Sequence, residues 1–345
     1  MIKKIFLLIF IFSNSILNTY CQLSEKNERN AKVAYNTGVE NITSSNFQEA
    51  FSNLNLCLEL DPGNFDAKLA LAKVEIELNM PDKALSDFIS LIFDNPSNGE
   101  LWFYKGYLSF NGVADSSVLE SFNKSVSFGF SSPDVYYYRG LSKHLTGDYK
   151  GAVADYTLAI EQTNDFALAY HDRGTAKRYL GDMQGALYDY RMSTSFKHDF
   201  PVAFNNMGSV KIILGDYEGA VQDYSVAIKL DSSFAIAYNN RGAAKFYLGN
   251  IQEALMDFEK SVNIEKTYLP AINNKASALV KENKYNEALM LFDGIIAVSD
   301  KQGTAYLNRG LLRELTGDLS GACSDWSKAL NLGIEEAARY IKECK

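Results

Sequence analysis

The chain has 345 residues, with 34 lysines and arginines against 42 aspartates and glutamates and a formal net charge of −8. This acidic balance, with no basic patch, argues against a nucleic acid as the partner, because phosphate binding needs clustered positive charge. Hydrophobic residues make up 47% of the sequence, which indicates a folded chain, and the six prolines are few enough for long helices.

The first 21 residues have the pattern of a secretory signal peptide. Two lysines precede a short apolar run, and Cys21 stands at the expected cleavage position, so that Gln22 would begin the mature chain. The run is too short to span a bilayer. We therefore expect a periplasmic or secreted protein with a lead segment at 22–30. The alternative is a lipoprotein anchored at Cys21, the one form for which we expect membrane association, although Tyr20 is larger than a lipidation motif prefers.

Three columns of similar residues then recur every 34 positions, without an insertion or a deletion. The alanine-or-valine column is Ala50, Ala84, Val118, Ala152, Ala186, Ala220, Ala254, Ala288 and Ala322. The glycine-or-alanine column is Gly38, Ala72, Gly106, Gly140, Gly174, Gly208, Gly242, Ala276 and Gly310. The large column is Leu54, Phe88, Phe122, Tyr156, Tyr190, Tyr224, Phe258, Phe292 and Trp326. Constant offsets of small and large residues predict one helical hairpin copied nine times over 31–332, which favours a binding surface over an active site.

Residues 201–234 illustrate one copy. Apolar residues recur at spacings of three and four on both sides of Gly215 and Asp216, which predicts two helices. Gly215 can adopt the left-handed conformation that ends the first helix, and Asp216 can cap the second. The same pair recurs as Gly147-Asp148, Gly181-Asp182 and Gly317-Asp318, with Gly249-Asn250 as a near copy.

Each copy, counted from Ala31, resembles the tetratricopeptide repeat, which carries an aromatic residue at position 4, small residues at 8 and 20, a Gly-Asp turn and an aromatic residue at 24. Position 4 holds Trp102, Tyr136, Tyr170, Phe204, Tyr238 and Tyr306. The resemblance implies an all-α fold, a right-handed solenoid of antiparallel helix pairs whose first helices line a concave groove. Copy 3 departs most, with Val113-Ala114 in place of the Gly-Asp turn, so we expect an irregularity there.

The segment 333–345 is predicted to be a helix that caps the last copy, as the open end of a solenoid requires. Ala337, Ala338, Ile341 and Cys344 would form its apolar stripe. Cys323 lies ten residues before Gly333 and Cys344 lies eleven residues after it. A chain reversal at Gly333 would bring the two thiols level, so we predict a Cys323–Cys344 disulfide in an oxidising compartment.

Charged residues occupy three further columns inside the copies. Position 7 is Arg139, Arg173, Arg241 and Arg309, position 11 is Lys143, Lys177, Lys211, Lys245 and Arg313, and position 23 is Asp155, Asp189, Asp223, Asp257 and Asp325. Copy 8 loses the lysine and the aspartate together, with Leu279 and Leu291 in their place, which indicates that these groups touch. We interpret them as structural ion pairs between the two helices of a copy rather than as an anion site, because each base has a matching acid.

Asparagines follow the predicted groove at its C-terminal end. Position 6 holds Asn206, Asn240, Asn274 and Asn308, and position 5 holds Asn205, Asn239 and Asn273. An amide offers donors and an acceptor, as a peptide backbone needs, so a row of them could hold an extended chain. An ordinary polar surface is the alternative interpretation.

Aromatic residues occupy the other part of the predicted groove, at Tyr104, Tyr107, Tyr137 and Tyr138. Exposed aromatic residues in a groove are typical binding anchors, but the same rings could instead fill the tight inner curve.

No zinc spacing, phosphate loop or zinc-protease motif occurs in the sequence. We therefore expect no metal, no small-molecule cofactor and no enzymatic activity. The leading hypothesis is a scaffold that binds an extended peptide or a partner protein in its groove. The alternatives are a structural subunit of an envelope or secretion assembly that docks by its convex face, and a glycan or cell-wall binder that uses the groove tyrosines.

Overall fold

The computed structural model describes residues 25–342 and residue 344. The predicted signal peptide at 1–21, the cleavage position before Gln22 and the lipidation alternative at Cys21 lie outside the described residues.

The described part of the chain is an all-α tandem array of helix pairs and contains no strand. The first helices of the pairs are α1 (described over 25–43), α3 (Phe65–Glu77), α5 (Gly99–Ser109), α7 (Pro133–Leu145), α9 (Ala167–Tyr179), α11 (Pro201–Ile213), α13 (Ala235–Tyr247), α15 (Leu269–Lys281) and α17 (Gly303–Leu315). The second helices are α2 (Phe47–Leu60), α4 (Pro81–Asp94), α6 (Ser116–Ser127), α8 (Tyr149–Gln162), α10 (Met183–Phe196), α12 (Tyr217–Leu230), α14 (Ile251–Ile264), α16 (Tyr285–Val298) and α18 (Leu319–Asn331). The all-α prediction is therefore confirmed. Residues 25–30 of the predicted lead segment are helical and form the start of α1.

Two compact units divide the array between Gln162 and Thr163. Unit 1 contains α1 to α8, and unit 2 contains α9 to α18 with the C-terminal segment. Within each unit the large column forms the core, since its nine members are at most 2% exposed.

The large column is buried because it packs against the glycine column of the same pair. A Cβ atom built on Gly140 would come within 2.8 Å of the Tyr156 ring, and one on Gly310 within 2.5 Å of the Trp326 ring. A side chain at these glycines would therefore separate the two helices of the pair.

The turn between the two helices of a pair has the expected local chemistry. Gly215 has a φ of 79°, the left-handed conformation that ends α11, and the Asp216 carboxylate accepts a hydrogen bond from the Gly219 N–H at the start of α12. The same cap forms at Asp148, Asp182 and Asp318, whereas Asn250 makes no side-chain cap. The turn therefore follows from two residues and recurs wherever they do.

Pair 3 lacks the Gly-Asp turn, and its local structure differs accordingly. Helix α5 ends at Ser109, and α6 begins only at Ser116, capped by Asp115. The intervening loop is longer than the three-residue turns of pairs 4 to 6.

The C-terminal segment differs from the predicted capping helix. Gly333, with a φ of 88°, turns the chain away from α18, and a 3₁₀ turn (Glu335–Ala337) and a short helix α19 (Ala338–Ile341) follow. Ala337 is buried, but Ala338 is exposed, so the predicted stripe is wrong at Ala338. Tyr340 covers the last pair instead, since its ring stacks on Trp326 with a centroid distance of 5.2 Å.

Candidate functional site

The charged columns meet inside the helix pairs. Arg173 donates two hydrogen bonds to Asp189, from Nε at 2.9 Å and from Nη2 at 2.7 Å, and Lys177 Nζ lies 2.8 Å from the same carboxylate. The same fork joins Arg139 to Asp155, Arg241 to Asp257 and Arg309 to Asp325. Each aspartate in these pairs is nearly fully buried. The bases are thus occupied by internal carboxylates, which leaves no free anion site in these columns.

Pair 6 is the exception among the five aspartates. Met207 stands where the other four pairs have arginine, and Asp223 is paired with Lys211 alone, whose Nζ lies 2.7 Å from Oδ2. Burial raises the pKa of Asp223, and the contact with Lys211 opposes that rise only in part.

In unit 2 the first helices contact one another in succession, from α9 to α17. The asparagines lie along this contact and join neighbouring pairs. The Nδ2 atom of each position-6 residue donates to the Oδ1 atom of the position-5 residue one pair earlier: Asn240 to Asn205 at 3.0 Å, Asn274 to Asn239 at 2.9 Å, and Asn308 to Asn273 at 3.2 Å. Between repeats, the position-6 asparagines therefore act as donors and the position-5 asparagines as acceptors. The sequence does not reveal this difference.

At its N-terminal end, this row of asparagines contacts His171. Its Nε2 lies 3.0 Å from Asn206 Nδ2, and its Nδ1 lies 2.8 Å from an oxygen of Asp172. Asn205 and Asn239 are buried, whereas the position-6 side chains from Asn206 to Asn308 are half-buried. Asn240 and Asn274 each use one N–H within the row, so their second N–H can bind a ligand, whereas Asn308 Nδ2 also donates to Ser277 Oγ at 3.4 Å.

A pocket of 220 Å³ opens beside the last three asparagines of the row. Phe246 and Tyr247 form its apolar wall, and Asn273, Asn274 and Asn308 contribute amides. Ser277 and Thr304 complete its polar lining. The pocket therefore combines an apolar wall with several hydrogen-bonding groups, as small-ligand and side-chain pockets commonly do.

The tyrosines of unit 1 pack against other rings. Tyr137 is buried, and Tyr138 lies edge-on to Tyr107 at 5.1 Å and stacks on Phe122 at 6.1 Å. Tyr104 stacks on the core ring of Phe88 at 4.7 Å. Burial raises the pKa of Tyr104 and of Tyr138 to about 12. Most of this aromatic group therefore fills space between helices, and Tyr107 is the member most open to solvent.

Family models support the repeat assignment over part of unit 2. A TPR repeat model matches residues 208–249, and a tetratricopeptide repeat model matches residues 235–268. Together with the tandem helix pairs, these matches decide the class of protein. The chain is a tetratricopeptide-repeat protein. No curated protein matches it.

Solved structures share the fold of this tetratricopeptide-repeat protein. The Cut9–Hcn1 hetero-tetramer of APC/C is 13% identical, with a TM-score of 0.57 over 90% of this chain and 75% of that chain. Pseudomonas aeruginosa PilF is 20% identical, with a TM-score of 0.53 over 61% of this chain and 95% of that chain. YrrB, a TPR protein with an unusual peptide-binding site, is 18% identical and overlaps less well, with a TM-score of 0.43 over 55% of this chain and 97% of that chain. At these identities the likeness to Cut9–Hcn1 and to PilF shows the fold alone.

The tetratricopeptide array carries one disulfide among its described residues. Cys323 and Cys344 are bonded, with their Cα atoms 5.7 Å apart, which ties the C-terminal segment to α18. Cys57 is a buried free thiol. Across 25–342, no helix is long and apolar enough to cross a membrane.

The sequence analysis missed the pocket residues Phe246, Ser277 and Thr304, although they occupy positions 12, 9 and 2 of their repeats, which the tetratricopeptide resemblance assigns to the groove. The register alone could have placed them on the groove. It could not have shown that they close a pocket, because that depends on how three successive first helices pack.

Proposed function

We propose that this chain is a non-catalytic scaffold that binds an extended polypeptide along the first helices of unit 2. The observation that carries the proposal is the cross-repeat hydrogen bonding of Asn240, Asn274 and Asn308. Each of these amides is held by a partner one repeat earlier, so it is oriented before a ligand arrives. Preorganised groups lose less conformational freedom on binding, which favours affinity.

The spacing of the row suits an extended backbone. Packed helices lie about 8–10 Å apart, and an extended chain rises about 3.3 Å per residue, so successive amides would meet about every third residue. Such contacts use backbone groups and tolerate many sequences. The pocket beside Phe246 and Tyr247 would then accept one apolar or aromatic side chain of the ligand.

Two other functions receive less support. A glycan would stack on an open aromatic face, but one face of Tyr104 lies on Phe88, and Lys73 lies 5.5 Å from the centre of its ring. Tyr138 is also covered by neighbouring rings. Docking through the convex face within an envelope or secretion assembly is not favoured by a specific contact among the described residues, so we rank it after peptide binding.

Two double variants test the role of the asparagine row. Asn240→Ala with Asn274→Ala removes two groove amides and breaks two cross-repeat hydrogen bonds. Asn205→Ala with Asn239→Ala breaks the same two bonds but leaves the groove amides in place. Twelve-residue peptides selected by phage display on the parent protein would be measured by titration calorimetry against both variants.

We expect the first variant to lose at least about tenfold in affinity, because each removed amide loses about one hydrogen bond to the peptide. The second variant should lose clearly less affinity. Equal losses would mean that the asparagines act through repeat packing alone. Unchanged binding in both variants would place the peptide elsewhere and contradict the proposal.

We also propose that the chain is exported, on the strength of the signal-like residues 1–21 and the Cys323–Cys344 disulfide. Disulfides persist mainly in oxidising compartments. Intact mass and N-terminal sequencing of the protein from cell fractions would test this proposal. A mature chain that begins at Gln22 supports export, lipid on Cys21 indicates the lipoprotein form, and an uncleaved cytoplasmic protein refutes both.

A further inference from the structure

A second pocket lies in unit 1, along the groove side of α3 between α1 and α5. Its volume is 410 Å³, within the range of about 300–1,000 Å³ that is usual for ligand pockets. Tyr35 of α1 and Tyr104 of α5 provide aromatic lining, and Asp66 and Glu77 of α3 provide carboxylates. We call it the unit-1 pocket.

The charges around the unit-1 pocket do not balance. Lys73 is the one base in its lining, and Nζ of Lys73 is held 2.7 Å from Glu100. Asp66 and Glu77 are exposed and form no ion pair within the described part of the chain. The pocket therefore has two uncompensated negative charges, which favour a cationic ligand.

Lys73 also shows how the pocket lining receives an ammonium group. Its Nζ lies 5.5 Å from the centre of the Tyr104 ring while it contacts the Glu100 carboxylate. This combination of an aromatic face and a carboxylate is a common way of holding a cation. Burial raises the pKa of Tyr104, and the negative charges of Glu100, Asp134 and Glu77 raise it further. The negative potential of the pocket therefore extends to the Tyr104 ring.

The residues at position 2 of the repeats also differ in charge between the two units. Position 2 of the repeats in unit 1 is basic in the first repeat, at Lys32, and acidic in the next three, at Asp66, Glu100 and Asp134. In unit 2 the same position is apolar and exposed in the first three repeats, at Leu168, Val202 and Ile236, and holds Pro270 and Thr304 in the last two. The two units therefore present different chemistry to a ligand, although their repeats share one framework.

We propose that the unit-1 pocket binds a basic segment of a partner polypeptide through two lysine or arginine side chains. Asp66 lies in the first turn of α3 and Glu77 is its last residue, eleven positions on, so their Cα atoms lie about 16 Å apart along the helix. One ammonium cannot contact both carboxylates. Two cationic residues five positions apart in an extended chain span about 16 Å and fit both ends of the pocket.

This proposal rests on the proposed function for the kind of ligand, a polypeptide, but it concerns a different unit and is tested separately. Two six-residue peptides with blocked, uncharged termini serve as probes and carry the same net charge. The spaced peptide has lysines at positions 1 and 6, and the adjacent peptide has them at positions 1 and 2, with glycine and serine elsewhere. Binding to the full chain would be measured by calorimetry at low and physiological ionic strength.

We expect the spaced peptide to bind about fivefold more tightly than the adjacent one, as for one additional exposed ion pair, and the difference to shrink with salt. Asp66→Asn and Glu77→Gln should each remove that difference. Glu59→Gln is the matched control, because Glu59 is an exposed carboxylate near the far end of α2 and does not line the pocket. Thermal unfolding by circular dichroism would confirm that the variants remain folded.

Equal affinities of the two peptides for the parent protein would overturn the proposal, as would equal losses in Glu59→Gln and in the pocket variants. If Asp66→Asn fails to fold, Glu77→Gln alone decides the question. The Asn240→Ala, Asn274→Ala variant separates the two proposals, since it should leave the lysine peptides unaffected. Failure of either proposal therefore leaves the other one testable.

Discussion

The buried aspartates of the helix pairs predict a graded loss of stability that follows the number of bases left without a counter-charge. Asp189 is fully buried between Arg173 and Lys177, whose side chains are 11% and 20% exposed. Asp189→Ala strands both cations and should lower the free energy of unfolding by about 3–5 kcal/mol. Asp223→Ala strands only Lys211 and should cost about 1–3 kcal/mol. Glu218→Ala removes an exposed carboxylate and should cost less than about 1 kcal/mol.

Urea unfolding followed by circular dichroism measures the three variants against the parent protein. Repeat arrays can unfold in stages, so hydrogen exchange of peptides from α9 to α12 should accompany the midpoints and locate the loss. Equal midpoints for Asp189→Ala and Glu218→Ala would refute the assignment of a buried ion pair. A larger loss for Asp223→Ala than for Asp189→Ala would refute the dependence on the number of stranded bases.

Three further predictions concern single positions. Gly310→Ala should lower the free energy of unfolding by about 1–3 kcal/mol, because its Cβ atom would press on the Trp326 ring. Gly294→Ala lies in open space within α16 and should raise the free energy of unfolding by about 0.5–1 kcal/mol. Thermal unfolding that ranks the two variants in the reverse order would contradict the packing argument. Cys323→Ser should cost about 2–4 kcal/mol in oxidising buffer and nothing in reducing buffer, as measured by urea midpoints, and a loss that persists with reductant would assign the effect to packing. Burial raises the folded-state pKa of Asp223 above the usual 3.8, so its contribution to stability is greatest below that pH and is lost as the pH rises through the folded-state pKa. Asp223→Asn should therefore gain stability relative to the parent protein between pH 3 and pH 7. A difference in urea midpoint that stays constant over this range would refute the raised pKa.

The sequence alone determined the features that repeat within one helix pair. A strict 34-residue period places each small residue opposite a large one, so the register of Gly310 and Trp326 could be assigned without coordinates. The same holds for the turn, since Gly215 and Asp216 act on their own backbone neighbours. These interactions are local, and their geometry is nearly the same in every copy.

Only the tertiary structure decided the features that join one repeat to the next. Asn205 and Asn206 are adjacent and chemically identical, but Asn205 is buried and accepts from Asn240, while Asn206 is half-buried and lies 3.0 Å from His171. The two pockets also form between first helices of different repeats, where Asp66 and Tyr104 are brought together from 38 positions apart. Such contacts depend on how neighbouring pairs stack, and a small rotation per repeat changes which side chains meet, so a column of residue types predicts a shared face but not a shared contact.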